Sequence, residues 1–105
     1  MRYCFDLDGT LCETDGMHYD QAQPIPGRIF LVNQLYHMGH HIIIETARGS
    51  GTGEDWYERT LQQLKDWGVL FHELRTGQKI FADFYIDDRG HNAHRWFKEQ
   101  MYGGV

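Results

Sequence analysis

Ile42-Ile43-Ile44 is the stretch that most restricts this chain. Three consecutive β-branched apolar residues, in a short run from His40 to Glu45, mark a buried strand. Arg2 to Leu7 reads as another strand, running into a turn at Asp8-Gly9-Thr10. Val69 to Leu74 and Ala82 to Ile86 read as a third and a fourth. Between them lie helical patterns. Pro26 suits a first helical turn, Ile29, Val32, Leu35 or Tyr36, and Met38 recur at helical spacing, and Gly39 offers a stop. A second helix from Glu54 to Trp67 carries the stripe Tyr57, Leu61, Leu64 and Trp67, with Gly68 as its end. A last helix runs from His91 to about Tyr102, with Trp96 and Phe97 turned inward. Leu11 to Gln23 has no periodicity and reads as a loop or flap. Alternating strands and helices predict an α/β fold: a parallel sheet with helices on both faces, a three-layer sandwich in a single domain over residues 1–105.

Composition narrows the function. The net charge of -5 and the lack of a basic block argue against nucleic acid as a partner. No apolar run is long enough for a bilayer span. Acidic residues interrupt the first apolar stretch at once, so no signal peptide is expected, and the protein is read as cytoplasmic. Cys4 and Cys12 do not form a Cys-x-x-Cys pair and suggest neither a disulfide scaffold nor a thiolate metal site. Of the seven histidines, His37, His40 and His41 cluster where a helix hands over to a strand and His91 and His94 sit on the last helix, and they read as scattered surface residues.

In a parallel sheet, ligands bind outside the carboxyl ends of the strands. The polar residues just past the expected strands are Asp6 and Asp8, Thr46 and Arg48, and Asp87 and Asp88, with Lys79 before the fourth strand. Four carboxylates around one cleft repel each other, so the set calls for a divalent cation together with Lys79. Oxygen-only ligation points to magnesium rather than zinc. Gly49-Ser50-Gly51-Thr52-Gly53 looks like a phosphate cradle, but no Gly-Lys-Ser/Thr follows, and a loop beside the site is the better reading. Arg48 has two readings: a grip on a substrate anion, or a brace for the carboxylate-rich loop. Asp83 reads as a pairing residue rather than a metal ligand.

The strand closing on Asp6-Leu7-Asp8-Gly9-Thr10 resembles the first signature of the haloacid-dehalogenase superfamily. Ile42-Ile43-Ile44-Glu45-Thr46 is similar to the second, Lys79 stands where the third places its lysine, and Tyr85-Ile86-Asp87-Asp88 resembles the fourth. Within that superfamily the likeness is to small phosphatases associated with capsular-polysaccharide biosynthesis. It is carried by Cys4 to Cys12, Thr46-Ala47-Arg48-Gly49, Asp55-Trp56-Tyr57 and Ala82 to Asp88. Ile80 after Lys79 departs from that pattern, where proline is expected.

The resemblance implies a Rossmann-like domain and a magnesium-dependent phosphomonoesterase. Asp6 is implied as nucleophile, forming an aspartyl-phosphate, and Asp8 as general acid and base with a raised pKa. Asp6, the Asp8 backbone carbonyl and Asp87, assisted by Asp88, are implied as magnesium ligands. Thr46 and Lys79 are implied to hold the phosphoryl oxygens. The substrate class is a small phosphorylated metabolite, with a sugar phosphate as one candidate.

Neither the gap between Asp8 and Pro24 nor that between Thr46 and Lys79 has room for a cap domain. An open site then needs a cover, from the Cys12–Gln23 flap or from a second subunit of a homo-oligomer. Two other classes compete. A signalling receiver places its acidic pair early and its phosphorylated Asp on a middle strand, the reverse of the order here. A non-catalytic binding module usually loses one key group, and none is lost.

Overall fold

The computed structural model describes residues 1–49, 53–76, 84–87, 91–92, 96–97 and 100, with only the backbone given at Phe84, Tyr85, Asp87, His91 and Asn92. Strand β1 (Arg2–Asp6) leads into a short hairpin of β2 (Cys12–Glu13) and β3 (Gln23–Pro24), separated by one 3-10 turn at Tyr19–Gln21. Helix α1 (Pro26–His37), β4 (His41–Thr46), α2 (Tyr57–Asp66), β5 (Glu73–Thr76), β6 (Phe84–Asp87) and β7 (His91–Asn92) follow. The main sheet has the order β5-β4-β1-β6-β7, and every pairing in it is parallel. This is a Rossmann-like α/β arrangement. The first strand of the chain lies at its centre, between β4 and β6.

The core explains that order. Phe5 pairs in register with Ile44 on one side and with Ile86 on the other, and all three are fully buried. Leu74 continues the row on β5 opposite Ile44. Ile29 and Val32 of α1, Leu64 of α2, and Trp96 and Phe97 join the same core. The Phe5 ring meets Trp96 edge-on at 5.7 Å and Phe97 at 6.0 Å. Trp96 and Phe97 have helical backbone and are buried, as expected. Both described helices thus share the Phe5 face. Cys4 and Ile43, on the opposite face, are buried as well.

Several elements differ from the sequence reading, each for a visible reason. The Cys12–Gln23 stretch is closed rather than loose: Cys12 pairs with Pro24 and Glu13 with Gln23, and Ile25 N–H donates to the Leu11 carbonyl at 2.9 Å. Met38 lies past the end of α1 and is exposed. Helix α2 starts at Tyr57, not Glu54, because the Asp55 carboxylate accepts the Tyr57 N–H at 3.0 Å and ends the preceding turn there. Strand β5 begins at Glu73 rather than Val69. Asn33 of α1 clamps the connection before it, donating to the Gly68 carbonyl and accepting the Leu70 N–H, each at 2.8 Å. Val69 and Leu70 are therefore held by the helix, away from the ladder. His91 and Asn92, read as the start of the last helix, instead pair in parallel with Ile86 and Asp87. The reading of strand at Ala82 and Asp83 falls outside the described residues.

Two histidines are more than surface decoration. His41 Nε2 lies 2.7 Å from Glu73 Oε2, and the rings of Tyr36, His72 and His41 stack in sequence at 4.6 Å spacing. His72 Nδ1 accepts the Ile42 N–H at 3.0 Å, which leaves its remaining proton on Nε2.

Candidate functional site

Asp6 is the last residue of β1, Thr46 of β4 and Asp87 of β6. Asp6 and Asp87 each stand one residue beyond the paired positions Phe5 and Ile86, so the backbone brings them to neighbouring strand ends. Asp8 follows in a tight turn in which the Leu7 carbonyl accepts N–H bonds from Thr10, Leu11 and Cys12. Gly9, at a φ of +84°, lets the chain reverse there without strain. The sheet thus gathers Asp6, Asp8, Thr46 and the Asp87 backbone at its carboxyl end. Lys79 and Asp88 lie outside the described residues.

Arg48 organises this end of the molecule. Its side chain is 1% exposed and forms a two-point pair with Asp8: Nε donates to Oδ2 at 3.0 Å and Nη2 to Oδ1 at 2.8 Å. Nη1 donates to Thr60 Oγ1 at 3.2 Å and to Gln63 Oε1 at 2.7 Å, and Nη2 also points at the Cys12 sulfur at 3.9 Å. These contacts take up the five N–H donors of the guanidinium. Of the two readings of Arg48, the structure has the brace, and the phosphate grip is left without a donor.

The second carboxylate differs from expectation too. Burial pushes the Asp8 carboxyl up, but the hydrogen bonds from Arg48 and from Thr14 Oγ1 (2.6 Å) outweigh it and hold it below its ordinary value. The raised Asp8 expected for a general acid is therefore not found; in this arrangement the group is a carboxylate. Cys12 stands beside it with its thiol pushed up to about 11, chiefly by burial, so it stays protonated and donates to Asp8 Oδ1 at 3.5 Å.

Thr46 is 2% exposed, and its hydroxyl oxygen accepts the Arg48 backbone N–H at 3.1 Å, leaving the hydroxyl proton as the donor. It lines a cavity of about 220 Å³ with Gly49, Glu54, Asp55, Trp56 and Thr76. Gly49 is obligatory at this bend: its φ is +81°, and a Cβ there would lie 2.0 Å from the Glu54 carbonyl oxygen. Gly53 N–H closes the turn onto the Gly49 carbonyl at 2.8 Å. Glu54 is tied to Arg59 at 2.8 Å, and Arg59 lies over the Trp56 ring at 3.5 Å.

Sequence reasoning missed Thr14, Tyr19, Thr60 and Gln63. Thr60 carried a faint signal, a polar residue at helical spacing between Tyr57 and Leu64 on the inward face of α2. Tyr19 carried none. Its ring packs on Arg48 at 4.9 Å and edge-on to Trp56 at 5.1 Å, and its carbonyl accepts the Gln63 amide at 2.9 Å.

Among the described residues no three His, Cys, Asp or Glu side chains converge as a metal cluster. Of the implied ligands only Asp6 and Asp8 have described side chains. The donor set that Asp6, the Asp8 carbonyl and Asp87 would offer consists of hard oxygens on adjacent strand ends, the chemistry that suits magnesium.

No protein-family model and no curated protein matches the chain. Solved structures do. A structural-genomics target from Vibrio cholerae superposes with a TM-score of 0.71 at 24% identity, over 92% of this chain and 88% of its own. A conserved protein from Bacteroides thetaiotaomicron gives 0.71 at 18% identity, over 100% of this chain and 93% of its own. A chain of the Pnkp1/Rnl/Hen1 RNA repair complex gives 0.65 at 17% identity, over 95% of this chain but 40% of its own. At such identities the likeness is one of fold alone. No helix among the described residues is long and apolar enough to cross a membrane.

Proposed function

We propose that this chain is a magnesium-dependent phosphomonoesterase of the haloacid-dehalogenase kind, without a cap domain, acting on a small phosphorylated metabolite. The observation that carries the reading is the gathering of Asp6, Asp8, Thr46 and Asp87 at adjacent carboxyl ends of β1, β4 and β6. In this reading Asp6 attacks phosphorus and forms an aspartyl-phosphate, which divides a very slow hydrolysis into two easier steps. Magnesium, held by Asp6, the Asp8 carbonyl and Asp87 with help from Asp88, would supply charge neutralisation at the phosphoryl oxygens. Thr46 donates its hydroxyl to one phosphoryl oxygen, and Lys79 is assigned to another. Asp8, a carboxylate in the grip of Arg48, is oriented as the base that takes a proton from the attacking water in the second step. To act as acid in the first, it must gain a proton against that grip. The leaving group is assigned to the cavity beside Thr46.

A second reading, a polynucleotide 3′-phosphatase, would share the same signatures. Glu54 and Asp55 on the cavity wall, and the net charge of -5, argue against a polyanionic leaving group. The deciding experiment measures phosphate release from phosphorylated sugars, an aryl phosphate and a 3′-phosphorylated oligonucleotide, with magnesium and with chelator. Chelator-sensitive release from the small esters supports the proposal. Release unaffected by chelator, or from the oligonucleotide alone, refutes it.

A further inference from the structure

We propose that the chain pairs with a second copy of itself through the outer edge of β5, antiparallel and centred on Leu74. Among the described residues nothing pairs with this edge, which lies at the end of the sheet. The direction of its backbone groups follows from its neighbour. Glu45 carbonyl accepts the Leu7 N–H at 3.1 Å, so Glu45 faces β1, and by alternation Ile44 and Thr46 face β5. In a parallel pair, a residue facing its partner strand bonds the two residues that flank its opposite number. Ile44 stands opposite Leu74, so Glu73 and Arg75 turn their backbone groups inward, while Leu74 and Thr76 turn theirs out.

That phase limits the registers for a two-fold antiparallel pair of these strands. Outward residues must face outward residues. Centring on Leu74 lets Leu74 exchange both backbone bonds with its copy. Centring on Arg75 also meets the condition, but sets Arg75 directly against Arg75. The Leu74 register instead puts Glu73 opposite the partner's Arg75 and Arg75 opposite the partner's Glu73. Those positions are not hydrogen-bonded, and that is where side chains of an antiparallel pair come closest.

The strand carries its own complementary charge pattern, Glu-Leu-Arg, read in either direction. Arg75 is 52% exposed and at present turns back on its own Glu73, with Nε at 3.1 Å; pairing would exchange that contact for the same one across the interface. Glu73 keeps His41 in either state. A groove of about 420 Å³ along this edge, lined by Tyr57, Leu61, Phe71 and Leu74 together with the polar His72, Glu73 and Arg75, would receive the copy of the same stretch. Thr76, which lines the cavity beside Thr46, then has the partner's strand next to it, so the second copy would wall the outer side of that cavity.

The test is the mass of the full chain by sedimentation, and it does not depend on the proposed activity. The wild type is expected to sediment as a dimer. Arg75→Glu converts the edge to Glu-Leu-Glu and should give a monomer; the residue is exposed, so this variant keeps its fold and decides the point by itself. Glu73→Arg, giving Arg-Leu-Arg, should also be monomeric, and mixing the two variants should restore the dimer mass. The doubly exchanged chain, Glu73→Arg with Arg75→Glu, should again self-associate. A wild-type monomer across the accessible concentration range overturns the proposal, as does a dimer that Arg75→Glu leaves intact or a pair of variants that ignore each other.

Discussion

Arg48 and Asp8 should be strongly coupled in stability, although neither lies in the apolar core cluster. Arg48→Met removes the partner of a carboxylate that is 27% exposed, while Asp8→Asn takes the counter-charge from a guanidinium that is 1% exposed. Breaking a buried pair on one side costs about 3–5 kcal/mol. Because Asp8 keeps some contact with water, the lower end applies, and each single change should cost about 3 kcal/mol. The double variant buries neither charge alone, so it should lose little more than either single, a coupling of roughly 2 kcal/mol. In a domain this small, about 3 kcal/mol lowers Tm by roughly 12–24 °C. The assay is a double-mutant cycle from urea unfolding at neutral pH, repeated on the acid side. The Asp8 carboxyl is held below its ordinary 3.8, so its contribution is complete above that pH and fades as pH falls through the lowered value. Additivity of the two changes to within about 0.5 kcal/mol at neutral pH would refute the brace.

Asp6→Asn should abolish phosphate release while leaving Tm nearly unchanged, since it neutralises one of several crowded carboxylates; substantial residual turnover rules out Asp6 as nucleophile. Glu73, drawn down to about 2 by hydrogen bonds from His41 and Arg75, stabilises the fold above about pH 4.5 and loses that contribution as pH falls towards 2. Glu73→Gln should therefore flatten that part of the acid-unfolding curve, and an unchanged curve counts against the assignment. Gly49→Ala should destabilise by about 2 kcal/mol, because a left-handed backbone and a Cβ against the Glu54 carbonyl coincide there; a neutral result in thermal unfolding would mean the turn can rearrange.

The strands that form the centre of the sheet could be read from sequence because each is a dense apolar run closing on a polar residue. Phe5, Ile44 and Ile86 need burial whatever the rest of the chain does, and their carboxyl ends place Asp6, Thr46 and Asp87 with little freedom. What escaped depends on single side chains acting at a distance. Asn33, near the middle of α1, sets where β5 begins; Asp55 sets where α2 begins. The β2–β3 hairpin pairs residues that have no periodicity of their own. The lowered Asp8 is likewise a tertiary property. The spacing of Asp6 and Asp8 says nothing of Arg48, forty residues on, or of Thr14, which together reverse the effect of burial. Asp88 and Lys79, which the sequence resemblance implies for the site, lie outside the described residues.

The anchoring of Tyr19 ties the hairpin to the Asp8 carboxylate through Gln63 and Arg48. The turn between β2 and β3 is fastened to α2 through Gln63, and Gln63 also receives a hydrogen bond from Arg48. A molecule that displaces the Tyr19 turn therefore loosens the same amide that steadies Arg48, and with it one side of the Asp8 pair. A displacement of the Tyr19 turn would thus be felt at the Asp8 carboxylate through one shared amide.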